Sequence, residues 1–275
     1  MTKTNWVIGS FLMFLCLAAG CSAELAFPPA KSSLIPASIP PLGTVSSPKT
    51  ASACSEAGIL QKGIAAGQDG FNIPFKAYLP PCYEHSPVDS YPILFLIGTD
   101  ENVWFANGKA AELTDRMIHE GEISPFIIVA TRTDFSRLDT LFLDFVNVLV
   151  PYIDSNFRTT PDRRYRAVAG GSGAADMASC VVMKYPEGFA AIGAFAGGWC
   201  LENQDLMDAI PKEQHPRVFI DFGDKDPGIG RAPVWAKALA ENGFQLVLNI
   251  GKGDHSFEYW SGNLEMFLLW WARGW

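Results

Sequence analysis

Tyr165-Arg-Ala-Val-Ala169 runs straight into Gly170-Gly-Ser172-Gly-Ala174, and Ala174 to Met183 continues with helical spacing. A short apolar strand, a glycine-rich turn and a helix in that order form the repeating unit of an α/β sheet. The same apolar character marks Tyr91-Pro-Ile-Leu-Phe-Leu-Ile97, Phe126-Ile-Ile-Val-Ala130, Val218-Phe-Ile-Asp-Phe222 and Gln245-Leu-Val-Leu-Asn-Ile250. A parallel strand covered by helices on both faces has no wet side, so its sequence loses the polar alternation of an exposed sheet. Between the runs lie helix candidates. Leu138, Leu141, Phe142, Phe145, Val148, Leu149 and Tyr152 recur at helical spacing and predict a buried stripe, with Pro151 loosening its last turn. Another helix has Pro233 near its start and Gly243 past its end, and a final one covers about 261 to 273, with Trp270 and Trp271 in its pattern, as Trp235 is in the earlier one. The stretch from about 60 to 80 has no intervening helix and reads as antiparallel edge strands. The expectation is an α/β domain over 55–275: a mostly parallel central sheet with helices on both faces.

Composition narrows the function classes. The 275 residues carry 21 Lys+Arg against 29 Asp+Glu, a formal net charge of -8. Without a basic excess there is little to displace counterions from a polyanion, so no nucleic-acid partner is expected. Beyond the N-terminus no apolar run reaches the length of a membrane span.

Residues 1–20 read as a secretory leader: Lys3, then an apolar stretch from Trp6 to Ala19. The leader ends Leu17-Ala18-Ala19-Gly20-Cys21, which resembles a bacterial lipobox and makes Cys21 the lipidation site. Residues 21–54 then form a tether; 22 to 53 hold six Pro and seven Ser and no apolar periodicity. The expected location is outside the cytoplasm, anchored to the bacterial membrane by lipid alone. Export also permits disulfides. Cys54, Cys82, Cys180 and Cys200 allow three pairings; proximity favours Cys54–Cys82 and Cys180–Cys200, with free buried thiols as the alternative. No cysteine spacing suits zinc, so neither metal nor cofactor is expected.

In open α/β sheets ligands bind beyond the carboxyl ends of the strands, so residues just after each run carry the chemistry. Gly170-Gly-Ser172-Gly-Ala174 departs by one residue from the nucleophile elbow Gly-x-Ser-x-Gly. A serine needs a base, and four histidines are available. His85 lies in a proline-rich loop, His119 inside an amphipathic helix, and His215 precedes a strand at the wrong end. His255, in Gly251-Lys-Gly-Asp-His255-Ser-Phe, follows a strand on the correct edge. The acid comes from Gly223-Asp224-Lys225-Asp226-Pro227; Asp226 is the choice and Asp224 the runner-up, since the farther residue reaches out over the edge. A calcium loop is the weaker reading, for want of a later acidic ligand. Ser172, Asp226 and His255 fall in the chain order of the α/β-hydrolase triad.

With Leu149-Val-Pro-Tyr-Ile-Asp-Ser-Asn-Phe157, Asp162-Arg-Arg-Tyr-Arg-Ala-Val-Ala-Gly-Gly-Ser172, Tyr185-Pro-Glu-Gly-Phe189 and Gly253-Asp-His255-Ser-Phe-Glu-Tyr-Trp260, the chain resembles the esterase family of α/β-hydrolases that includes enterochelin and feruloyl esterases, formylglutathione hydrolases and mycolyltransferases. The similarity starts near Tyr78-Leu-Pro-Pro-Cys-Tyr83 and covers roughly 70 to 272. The resemblance implies Ser172 as nucleophile, Asp226 as acid and His255 as base, with oxyanion donors at the N–H groups of Thr99 and Gly173. Two residues depart from the family pattern. Ala174 stands for the second elbow glycine, adding a methyl where the turn is tight; Ile97 stands for a usual histidine, removing a polar group beside the oxyanion hole. Neither deletes a backbone donor.

The expected partner is a small-molecule or glycan-linked ester. Trp104 with Phe105, Trp199, and Tyr259-Trp260 all follow strands and could rim a pocket for an aromatic acyl group, a sugar or a siderophore. An acyltransferase with the same triad, or an inactive glycan- or siderophore-binding module, are the rival readings. Oligomeric state is not legible.

Overall fold

Alternation of side chains along a strand puts odd and even residues on opposite faces, and here both faces are apolar. In the computed structural model, which describes residues 54–67, 72–86, 88, 90–133 and 142–275, the strands among the described residues are β1 (Ile59–Ala66), β2 (Asn72–Leu79), β3 (Ile93–Gly98), β4 (Ile127–Arg132), β5 (Arg166–Gly171), β6 (Ala191–Phe195), β7 (Arg217–Gly223) and β8 (Leu246–Gly251). They join in one sheet, ordered β1-β2-β4-β3-β5-β6-β7-β8. Pairing is antiparallel for β1–β2 and β2–β4 and parallel elsewhere. The antiparallel edge and the parallel body are as the sequence predicts.

All six residues of β3 are buried. Ile93, Phe95 and Ile97 join one apolar layer with Phe145, Leu149 and Ile153, while Leu94 and Leu96 join another with Phe126, Phe267 and Trp271. Each fully buried side chain of this size contributes about 1.5–3 kcal/mol. Helices therefore cover both faces, and the central strands have no solvent side.

The α-helices given whole among the described residues are α1 (Val103–Ala106), α2 (Ala110–His119), α3 (Val150–Asn156), α4 (Gly173–Lys184), α5 (Gln204–Ala209), α6 (Arg231–Glu241), α7 (Phe257–Gly262) and α8 (Leu264–Ala272). Two differ from the sequence reading. The helix predicted through Tyr152 is wound as a π-helix over Phe145–Leu149 before continuing as α3, whose first turn holds Pro151. Proline lacks the N–H for the carbonyl four residues back and crowds it, so the widened turn falls where the clash would be. Phe145, Leu149 and Ile153 form the buried stripe, and Tyr152 is only partly buried; Leu138 and Leu141 lie outside the described residues. The final helix is broken at Asn263 into α7 and α8. The helix between Pro233 and Gly243 is α6, and Gly243 takes φ 81° just beyond it, the left-handed ending that favours glycine.

The cysteines pair as proximity suggests, Cys54–Cys82 and Cys180–Cys200, which removes the free-thiol alternative. The second bond staples α4 to the turn after β6. The leader, Cys21 and the tether up to residue 53 lie outside the described residues. Closing the Cys180–Cys200 loop, a separation of 20, restricts the unfolded chain by roughly 3 kcal/mol. Replacing both cysteines by serine should lower unfolding free energy by about that amount in urea titrations, with the thiol-reduced wild type falling at least as far.

Candidate active site

The strand ends converge on Ser172. It lies between β5 and α4 with φ 56° and ψ -129°, a left-handed backbone that a non-glycine residue adopts only under constraint. The constraints are specific. The Ser172 N–H donates to the Phe195 carbonyl at 2.8 Å, and its own carbonyl accepts from the N–H groups of Ala175 and Asp176. The turn after β6 presses on the same carbonyl: a methyl at Gly197 would lie 2.2 Å from the Ser172 oxygen. Asp176, one helical turn beyond the serine, accepts from the N–H groups of Gly198 and Trp199 at 2.7 and 2.8 Å and holds that turn in place.

His255 sits between β8 and α7. Its Nε2 is 2.9 Å from Ser172 Oγ, and its Nδ1 is 2.8 Å from Asp226 Oδ2. Asp226 is 2% exposed, and its second oxygen accepts the Gly228 N–H at 2.7 Å. With Nδ1–H donated to the carboxylate, Nε2 presents its lone pair to the serine hydroxyl. The structure brings Asp226, not Asp224, to the imidazole. Asp224 instead cross-links the two loops, its Oδ1 accepting the Gly253 N–H at 3.1 Å and its N–H donating to the Gly251 carbonyl at 2.7 Å. Of the other histidines described, His215 stacks on Phe244 with ring centroids 3.9 Å apart, ahead of β7.

A cavity of about 300 Å³ opens beside Ser172 and His255, walled by Ile97, Val103, Trp104, Phe257 and Trp260. Thr99 and Gly173 also line it. Among the described residues neither of their backbone N–H groups donates to a protein acceptor, and Gly173 opens the 12-residue α4, whose N-terminal dipole favours negative charge. The two departures from the family pattern are accommodated. Ala174 lines the cavity, and the turn is too tight for a side chain at the two positions before the serine: a methyl at Gly170 would sit 2.6 Å from the Ala174 carbonyl, and one at Gly171 2.3 Å from the Trp260 ring. Ile97 adds apolar wall and its carbonyl accepts the Trp104 indole N–H at 2.9 Å.

The aromatic candidates separate. Trp260 lines the cavity and packs edge-on against the His255 ring, centroids 5.1 Å apart. Trp104 is 1% exposed, so it forms the inner wall rather than a rim. Trp199 is 65% exposed and is not part of the cavity wall. Phe105 is a buried residue of α1 outside the cavity wall, and Tyr259 turns under the histidine loop. Sequence reasoning missed Asp176 and Gly197; the Gly197-Gly198 pair after an apolar run was the available signal. A second hollow, of about 350 Å³ near Met183, Lys184 and Ile210, lies at the far end of α4 and has no paired nucleophile and base.

A family model described as "Putative esterase" matches residues 70–270. A protein named "Endo-1,4-beta-xylanase/feruloyl esterase" from Xylanibacter ruminicola is 29% identical over 199 residues, 64% of this chain and 26% of that protein. The chain thus spans about a quarter of that relative's length. A solved ferulic acid esterase superimposes with a TM-score of 0.70 at 19% identity, covering 80% of this chain and 100% of that one. A variant of the feruloyl esterase module from Clostridium thermocellum, complexed with sinapinate, gives 0.67 at 18% identity, covering 80% and 90%. These similarities show the α/β-hydrolase fold.

Because Gly197 meets the Ser172 carbonyl so closely, Gly197→Ala must displace one of the two turns. We expect it to destabilise the fold by about 1–3 kcal/mol, read as a lowered midpoint in thermal unfolding followed by circular dichroism.

Proposed function

The chain belongs to the esterase family described as "Putative esterase", and from that premise we propose that it is a carboxylic-ester hydrolase with Ser172 as nucleophile, His255 as base and Asp226 as the acid that orients the imidazole. One observation carries the reading: a single imidazole spans a serine hydroxyl and a buried carboxylate, at 2.9 and 2.8 Å. That geometry suits the removal of a proton from an alcohol that is otherwise inert at neutral pH.

The steps follow from the placement. His255 Nε2 takes the Ser172 proton as Oγ bonds to the ester carbonyl carbon, and the carbonyl π pair moves onto oxygen. The Thr99 and Gly173 N–H groups receive that charge; each such donor is worth about 10²–10³ in rate. Collapse breaks the bond to the alcohol, which leaves with the proton held on His255. Water, deprotonated by the same imidazole, then releases the acid from Ser172. Asp226 keeps the Nδ1 proton in place and stabilises the imidazolium without itself accepting a proton.

The cavity's volume and its Ile97, Val103, Trp104, Phe257 and Trp260 walls suit a compact apolar acyl group, and flat rings of Trp260 and Phe257 suit an aromatic one. The names of the relatives point the same way. We place the enzyme outside the cytoplasm, held through Cys21; the two disulfides support an oxidising compartment.

Ser172→Ala should cut turnover of an aryl acetate or methyl hydroxycinnamate by about 10⁴-fold or more, and a fluorophosphonate probe should label the wild type but not the variant. Undiminished hydrolysis by the variant would remove Ser172 from the role.

A further inference from the structure

Tyr259 enters the sequence as a candidate for the pocket rim, yet it points the other way. Its hydroxyl accepts the Gly251 N–H at 3.0 Å and lies 2.7 Å from the Phe222 carbonyl and 3.0 Å from Asp221 Oδ1, sharing its one proton between those acceptors. Phe222 belongs to the end of β7, four residues before Asp226; Gly251 ends β8, four residues before His255. One hydroxyl therefore ties together the two strand ends from which the acid and the base project.

The ring has a matching role. The loop Gly251–His255 lies against it so closely that a methyl at Gly253 would sit 2.2 Å from Tyr259 Cδ2. Beneath it, Asp221 is fully buried, paired across the sheet with Asn249 and accepting its amide N–H at 2.6 Å. Burial pushes the Asp221 carboxyl above its ordinary range, and burial together with the Asp221 charge pushes the Tyr259 hydroxyl up as well, so the hydroxyl keeps the proton it donates. Nothing in the chemical steps above requires Tyr259 or Asp221; they do not touch the cavity.

We propose that Tyr259, seated on Asp221, is a positioning residue that sets the spacing of His255 from Asp226 and Ser172 by clamping the ends of β7 and β8. The inference rests on the reading of Ser172, Asp226 and His255 as the reacting set. A hydroxyl that fixes strand ends acts on the alignment of the base, so its loss falls on the chemical step while the cavity that binds the acyl group keeps its shape. A shift of about 1 Å in a catalytic group costs up to 10²-fold.

Two variants perturb the clamp from opposite sides. Tyr259→Phe removes the hydroxyl and keeps the ring; Gly253→Ala keeps the tyrosine and lifts the loop from it. Tyr78→Phe is the control, because Tyr78, on β2 near the opposite edge of the sheet, is likewise a tyrosine whose hydroxyl donates to a carboxylate, that of Asp115 at 2.6 Å. In steady-state hydrolysis of an aryl acetate, Tyr259→Phe and Gly253→Ala should each lose about 10- to 100-fold in kcat with KM within twofold, and fluorophosphonate labelling should slow in parallel. Tyr78→Phe should keep kcat within twofold even if its unfolding midpoint drops as far. Folded clamp variants with kcat within twofold of wild type, or a control that loses as much as they do, would overturn the inference. Should one clamp variant not fold, the other decides. If the wild type neither hydrolyses esters nor takes the probe, the esterase reading itself fails, and that outcome is distinct from a failed clamp.

Discussion

The left-handed backbone at Ser172 is the constraint on which the rest of the site depends. Such a conformation costs a non-glycine residue about 1–3 kcal/mol, and it persists here because the surroundings leave no alternative. The Phe195 carbonyl fixes the serine N–H, two α4 N–H groups fix its carbonyl, and Gly197 admits the neighbouring turn to contact distance. The hydroxyl consequently projects from the sheet edge while the Gly173 N–H opens the helix beside it. Relaxing the turn would bring the backbone to a commoner conformation and take both groups out of reach of the cavity. The apolar layers on either face of β3, β5 and β6 provide the stability against which that local cost is held.

Fold and catalytic candidates were legible because each rested on a periodic or positional rule. Apolar runs with no polar alternation marked strands buried on both faces, and a parallel sheet confines functional groups to one edge. That rule excluded His215 by its place ahead of a strand and selected His255 by its place after one. It also favoured Asp226 over Asp224, and the structure gives the physical reason: the nearer carboxylate is used to bind the two loops together, through the Gly253 N–H, while the farther one reaches the imidazole.

What the sequence could not give is the direction in which a loop side chain points. Trp104, Trp199, Tyr259 and Trp260 all follow strands, and composition treats them alike. Only the loop geometry sends Trp260 to the cavity, Trp104 to its inner wall, Trp199 to solvent and Tyr259 beneath the histidine. The π-helical turn before Pro151 was hidden for a related reason. A proline announces a disturbed turn, but whether the chain kinks or widens depends on which arrangement lets Phe145, Leu149 and Ile153 keep contact with the sheet.

The burial of Asp226 ties the parts of the site to one another. A carboxylate that is 2% exposed keeps its charge only where hydrogen bonds replace water. Gly228 satisfies one oxygen and His255 the other, so the imidazole is at once the group being oriented and a condition for the charge that orients it. Moving His255 away would leave a buried charge half-satisfied, at a cost of several kcal/mol. The carboxylate thereby resists displacement of the loop from one side, and the Gly251 and Gly253 contacts with Tyr259 resist it from the other. The histidine stands on a loop, yet that loop is tied at both sides: to the buried Asp226 carboxylate through the imidazole, and to Tyr259 through Gly251.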